Sequence, residues 1–334
     1  MDGAAGEAGR VPTLEAVRDA AKRLAGWAVK TPLLESPALN ARLGGRLLIK
    51  AEVLQRTGSF KFRGAYNRIS RIPAEATARG VVAFSSGNHA QGVAAAAQLL
   101  GMPAAIVMPA DAPKMKVANT RGYGAEVVFY DRYKEDREAV AAKVQAERRA
   151  TLVRPYDDAY VIAGQGTAGL ELAEQAAERG IRLDAALAPC SGGGLISGIA
   201  IALAELSPGT TVHTVEPEGF EDTARSLAAG RRLSNASGGT TICDALMADQ
   251  PGELTFAAMQ GRVKSGFVVS EAEVARAMAL AFEYFKLVVE PSGAVALAAV
   301  LVGKVPLAGR AVAVVCSGGN VDLGLYRRLL AEAA

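Results

Sequence analysis

The sequence predicts an α/β fold of parallel sheets covered by helices, divided into two domains. Three observations point there. Short β-branched or apolar runs alternate with longer helical stretches along the chain, the pattern of strand–helix–strand units. Those runs carry almost no charge, as strands buried on both faces do. The length, 334 residues, suits two units at roughly 150 residues each.

Taken in order, the strand candidates are Leu47–Val53, Val81–Phe84, Ala104–Met108, Glu126–Tyr130, Ala185–Ala188, Thr211–Val215 and Ala311–Val315. Each is a short, mostly aliphatic run too brief for a helix. Helical patterns fill the intervals at Asn88–Leu100, Arg132–Arg148, Ala163–Arg179, Leu195–Leu206 and Glu271–Phe285. A further helix is expected near Phe60, with Ser59 as its cap. No internal repeat or low-complexity linker occurs, so a domain boundary has to be a chain crossing.

Composition excludes several classes. Half the residues are hydrophobic and 21% are charged, which suits a soluble protein with a large core. The net charge of +3 argues against a nucleic-acid binder. Two histidines, His89 and His213, exclude a polyhistidine metal site. Cys190, Cys243 and Cys316 lie far apart without a zinc spacing and read as buried thiols of a reducing, cytoplasmic setting. The start, MDGAAGEAGR, lacks the apolar core of a signal peptide and reads as a frayed tail. Two uncharged runs, Gly92–Ala110 and Ala185–Ala204, are long enough to span a bilayer. Gly101 and Pro103 break the first and Gly192–Gly194 the second, so no membrane span is expected.

Glycine makes up 36 of the 334 residues, against about 7% in typical proteins. It collects at strand-to-helix turns, where open α/β sheets bind ligands. Ser191-Gly192-Gly193-Gly194 can admit an anion at a helix N-terminus, or simply pack a helix on a sheet. Ser85-Ser86-Gly87-Asn88-His89 packs more polar groups than capping requires. Cys316-Ser317-Gly318-Gly319-Asn320 alone is an ordinary polar turn. In Thr57–Gly64, Lys61 falls in the first turn of a helix, where the dipole disfavours a cation and favours a nucleophilic amine, although the segment alone reads better as an exposed lysine followed by Arg63.

Together these motifs resemble the β-family, fold-type II pyridoxal-phosphate enzymes, within the threonine/serine dehydratase and serine racemase group. The segments carrying the resemblance are SFKFRGA (Ser59–Ala65), SSGNHAQG (Ser85–Gly92), VIAGQGT (Val161–Thr167), SGGG (Ser191–Gly194), VEP (Val215–Pro217), EPSGA (Glu290–Ala294) and CSGGN (Cys316–Asn320). The resemblance implies a tryptophan synthase β-like architecture. In it, 1–71 and 157–334 form the large domain, 72–156 an inserted small one, and the cofactor lies between them. Domain closure would exclude water, and a homodimer is expected.

The resemblance also implies roles. Lys61 holds pyridoxal 5'-phosphate as a Schiff base and removes the substrate α-proton. Phe60 packs beside the ring, and Asn88 meets its hydroxyl. Gly192, Gly193, Gly194 and Leu195 cradle the phosphate, and Ser317 faces the pyridine nitrogen. Ser85, Ser86, Asn88 and His89 form the loop that grips the substrate carboxylate through backbone N–H groups. Ser86 matches the opposite-face acid/base of the racemases. Tyr156 stands where dehydratases often have Phe and racemases Asn. Arg137 matches an arginine that meets a second carboxylate in some members, or is a solvated helix residue. Glu216, the Phe220 carbonyl and Asp222 match a structural divalent-cation site (Mg, Mn or Ca), or form a strand end with helix-capping acids.

The implied reaction is elimination of ammonia from L-threonine or L-serine to give a 2-oxo acid. Serine racemisation and 3-hydroxyaspartate dehydration are the alternatives within the family. From another class, an NAD-dependent oxidoreductase would use Gly192, Gly194 and Gly198 for the dinucleotide and Glu216 for its ribose. Its glycine spacing is GxGxxxG, and it leaves Lys61 unexplained.

Overall fold

In the computed structural model, residues 9–112, 114–236 and 238–333 are described. The N-terminal tail expected to fray lies mostly outside them.

The first helix, α1 (Leu14–Leu24), is capped by Thr13. Then come β1 (Leu33–Glu35), α2 (Pro37–Leu43), β2 (Arg46–Ala51) and α3 (Lys61–Ile69). A parallel run follows: β3 (Val81–Phe84), α4 (Asn88–Leu99), β4 (Ala104–Pro109), α5 (Lys114–Gly122), β5 (Glu126–Tyr130), α6 (Arg137–Arg148) and β6 (Thr151–Leu152). The remainder is α7 (Ala159–Glu178), β7 (Ala185–Pro189), α8 (Gly194–Leu206), β8 (Thr211–Pro217), α9 (Asp222–Ala229), α10 (Glu253–Met259), β9 (Val263–Val269), α11 (Glu271–Leu280), α12 (Pro291–Leu301), β10 (Ala311–Cys316) and α13 (Leu323–Glu332).

The strands form two sheets. A six-stranded sheet has the order β1-β2-β10-β7-β8-β9, parallel except for β1. A four-stranded, all-parallel sheet has the order β5-β4-β3-β6. Apolar side chains on both faces of the larger sheet form separate clusters. Helix α3 lends Phe62, Ala65, Tyr66 and Ile69 to the core shared with α4, β3 and β4. Lys61 at its head thus stands where the two sheets meet.

Several local expectations need correction. Phe60, not Ser59, is the N-cap of α3, and no side chain caps that helix. Ser59 pairs with Gly318 instead, and its buried hydroxyl has no partner among the described residues. Helix α6 begins at Arg137 rather than Arg132, because the Asp136 carboxylate accepts the Glu138 and Ala139 N–H groups and fixes the start there. Helix α7 begins earlier than expected, at Ala159, under an Asp158 cap. Beyond Leu280, Ala281–Phe285 widens into a π turn that ends at Lys286 in left-handed conformation. All three cysteines are free and buried. Among the described residues no helix is long and apolar enough to cross a membrane.

Candidate active site

Three glycine-rich turns leave the C-terminal ends of β3, β7 and β10 and face one cavity of about 350 Å³. Phe60, Lys61, Ser85, Ser86, Asn88, His89, Arg137, Tyr156, Gly192–Leu195 and Ser317 all line it. Glu216, Phe220 and Asp222 are not among the lining residues.

Lys61 is half-buried at the first position of α3. Its Nζ donates to the Pro155 carbonyl at 2.7 Å and lies 5.1 Å from the centroid of the Phe60 ring. Burial pulls the amine pKa down to about 8. The shift is downward, so the neutral, nucleophilic amine dominates above that value. Uptake of pyridoxal phosphate by the cofactor-free protein should therefore quicken with pH and level off near 8, as followed by visible absorbance. A rate still climbing at pH 10 would contradict the assignment.

The turn after β3 is tied from behind. His89 Nε2 donates to the Val153 carbonyl at 2.9 Å. Burial and the nearby Lys61 charge hold the imidazole pKa down at about 3, so His89 is neutral and serves as a fixed donor. The Asn88 amide donates to Glu290 Oε1 at 2.6 Å and accepts from Asn320 Nδ2 at 2.8 Å. Among the described residues, one side-chain N–H of Asn88 is left over. Asn320 also donates to the Thr57 carbonyl, which ties this row to the loop before Lys61. Sequence reasoning missed Glu290 and Asn320 as site residues, although both lie inside quoted motifs. Burial lifts the Glu290 carboxyl to about 7, against the Asn88 bond.

The turn after β7 has its carbonyls occupied within the protein. Gly192 O accepts from Thr255 Oγ1 at 2.6 Å, and Gly193 O accepts from Ser197 N at 3.0 Å. The free N–H groups of the α8 terminus are left for an anion. Gly193 has φ +92°, a conformation only glycine adopts freely. A Cβ at Gly192 would lie 2.4 Å from the Tyr156 ring, so that ring rests on the bare backbone. The neighbouring Asp157 accepts the Leu254 and Thr255 N–H groups at the start of α10. The turn after β10 pairs with the lysine loop: Phe60 N donates to Ser317 O at 3.1 Å. These features, a half-buried amine and a side-chain-free anion cradle lining one cavity, fit pyridoxal phosphate.

Comparison with known proteins agrees. Residues 25–318 match the model of the family described as pyridoxal-phosphate dependent enzyme. The chain belongs to that family. It is 44% identical over 320 residues to the L-threo-3-hydroxyaspartate ammonia-lyase of Saccharomyces cerevisiae, covering 96% of this chain and 97% of that protein. It is 39% identical to the serine racemase of Schizosaccharomyces pombe, covering 96% and 98%. A crystal structure of a threonine deaminase from T.th. superposes with a TM-score of 0.88 at 47% identity, covering 93% of this chain and 99% of that one. The fold is that of the fold-type II pyridoxal-phosphate enzymes.

The dinucleotide reading is overturned. Glu216 is fully buried, and its two oxygens accept the Thr223 and Ala224 N–H groups of α9 at 2.9 and 2.7 Å. It caps a helix and is not open to a ribose. For a cation the same residues fit in part. Asp222 Oδ1 accepts from Asn235, while Oδ2 is buried with no partner among the described residues. Burial lifts Glu216 to about 8 and Asp222 to about 7. Among the described residues no group of three His, Cys, Asp or Glu side chains could hold a metal, so a cation here would rely on two carboxylates and the Phe220 carbonyl.

Proposed function

We propose that this chain is a pyridoxal-phosphate-dependent ammonia-lyase for β-hydroxy α-amino acids, with L-threo-3-hydroxyaspartate preferred over threonine and serine. The observation that carries the preference is Arg137. Its guanidinium lies on the cavity wall, 5.7 Å from the centroid of the Phe84 ring. It has no ion-pair partner among the described residues, whereas Lys116 on the same wall is already paired with Asp244. An unpaired, planar fork beside the substrate loop suits a second carboxylate. A threonine methyl or a serine hydroxyl needs no such charge.

In this reading the N–H groups of the Ser85–His89 turn bind the α-carboxylate, and the glycine turn after β7 holds the cofactor phosphate. With the cofactor bound, Asn88 would give its remaining N–H to the ring hydroxyl, its amide held by Glu290 and Asn320. The Ser317 hydroxyl would face the ring nitrogen and Phe60 would flank the ring. When bound, pyridoxal phosphate supplies the electron sink for the carbanion at Cα. Lys61 Nζ removes the α-proton, the β-hydroxyl leaves as water, and hydrolysis of the released enamine by a water molecule gives the 2-oxo acid and ammonia. Ser86 lines the cavity with Lys61 and offers a hydroxyl for reprotonation, so serine racemisation is the second reading.

The test is a comparison of substrates. Purified enzyme is supplied with L-threo-3-hydroxyaspartate, L-threonine and L-serine while 2-oxo acid and D-enantiomer are followed. Arg137→Leu is expected to lower kcat/KM for hydroxyaspartate by roughly 10–100-fold, the worth of one charged hydrogen bond. Threonine turnover should change little. Equal losses on all substrates would remove Arg137 from specificity, and no 2-oxo acid from any would sink the reaction.

A divalent cation at Glu216, Phe220 and Asp222 is part of the same proposal, supported by the unpartnered Asp222 oxygen. Millimolar Mg²⁺ or Ca²⁺ should raise the melting temperature of the wild type but not of Asp222→Asn. Equal responses from the two proteins would place the cation elsewhere.

A further inference from the structure

Gln165 stands inside α7, in the segment VIAGQGT, and is completely buried. Neither its Oε1 nor its Nε2 has a hydrogen-bond partner among the described residues. Leaving a buried polar group unpaired is costly, and native structures rarely keep one without a reason.

The direction of the side chain supplies the reason. A Cβ at Gly194 would lie 2.6 Å from Gln165 Oε1, and one at Gly64 would lie 3.0 Å from its Cγ. The amide therefore rests against the bare backbone of Gly194, the first residue of α8. Gly64 belongs to the first turn of α3, the helix that Lys61 opens. That places the unpaired amide directly behind the glycine turn, between the lysine helix and the N-terminus of α8. The Gly193 cap contributes no side-chain bond of its own.

We propose that Gln165 is a positioning residue for the cofactor phosphate. Its amide supports the turn Gly192–Leu195 from behind and becomes hydrogen-bonded to that turn when the phosphate draws the turn's N–H groups into line. The inference rests on the glycine turn being the phosphate site.

The experiment separates phosphate from ring. Apparent dissociation constants of pyridoxal phosphate and of pyridoxal, which lacks the phosphate, are measured by absorbance for wild type, Gln165→Met and Gln165→Glu. The ³¹P resonance of the bound phosphate is recorded for each. The methionine keeps the shape and removes the amide; the glutamate adds a charge behind the phosphate. Pyridoxal phosphate should bind roughly tenfold more weakly to Gln165→Met and weaker still to Gln165→Glu, with a displaced ³¹P resonance and unchanged pyridoxal binding. Equal weakening of both aldehydes would show a packing role only. Unchanged affinity and resonance would remove Gln165 from the site. A wild type that binds both aldehydes equally would instead fail the assignment of the glycine turn.

Discussion

Lys61→Ala is expected to abolish ammonia release while leaving the fold intact. The side chain is half-buried, and the substitution takes away its hydrogen bond to Pro155 O. Proton transfer by a positioned base is worth roughly 10²–10⁴-fold in rate, and the covalent tether proposed for the cofactor would disappear as well. The wild type should be yellow and should lose that absorbance on borohydride reduction with a permanent mass gain; the variant should gain no mass at position 61. Retention of more than about a hundredth of wild-type turnover would show that another base takes the α-proton. Of the cavity's other basic groups, His89 is held neutral with Nε2 donating to Val153, so it is a poor replacement.

Arg63→Met should cost about 3–5 kcal/mol of stability, the usual effect of breaking a buried charge network by removing one partner. Arg63 is 1% exposed. Its guanidinium donates to both oxygens of Glu52, to both of Glu171 and to Thr167 Oγ1. Lys50 meets Glu171 from the other side, at 2.6 Å. Burial is the largest single influence and would lift the Glu52 carboxyl, but the Arg63 charge and hydrogen bonds, with Lys50 and Thr31, together outweigh it and hold the pKa below the usual range. A lowered carboxylate pKa gives stability that is complete above the unfolded value and lost on acidification through the folded one. Removing the arginine leaves Glu52 and Glu171 facing each other without it. Urea unfolding should show the loss, and Arg63→Met with Glu52→Leu should recover part of it. A loss under about 1 kcal/mol would mean that water or local rearrangement solvates the carboxylates.

The parallel strands and their glycine turns are legible in the sequence because each is a local pattern: an uncharged aliphatic run, a turn, then a helix. Strand β9 is not, since Lys264, Ser265 and Gly266 interrupt it at the sheet edge, where only one side of the ladder is paired. Strand β6 is two residues long, too short to register. The cap of α3 escapes a local reading because Ser59 is drawn into a bridge with Gly318, at the opposite end of the chain. The roles of Glu290 and Asn320 meet the same obstacle. Each reaches Asn88 across a sequence separation of 202 and 232 residues, respectively, and no spacing rule extends so far. Motif likeness locates these segments without saying which atoms meet.

The bond from Lys61 to Pro155 joins the two places where the chain passes between the sheets. Helix α3 carries it from β2 to β3, and the segment after β6 carries it back to α7. The bond holds these two crossings side by side. The Lys61 amine is thus mounted at the crossings, while Arg137 reaches the same cavity from α6, within the four-stranded sheet's own run of elements. The proposed base and the proposed specificity residue are therefore carried by different parts of the chain that share one cavity.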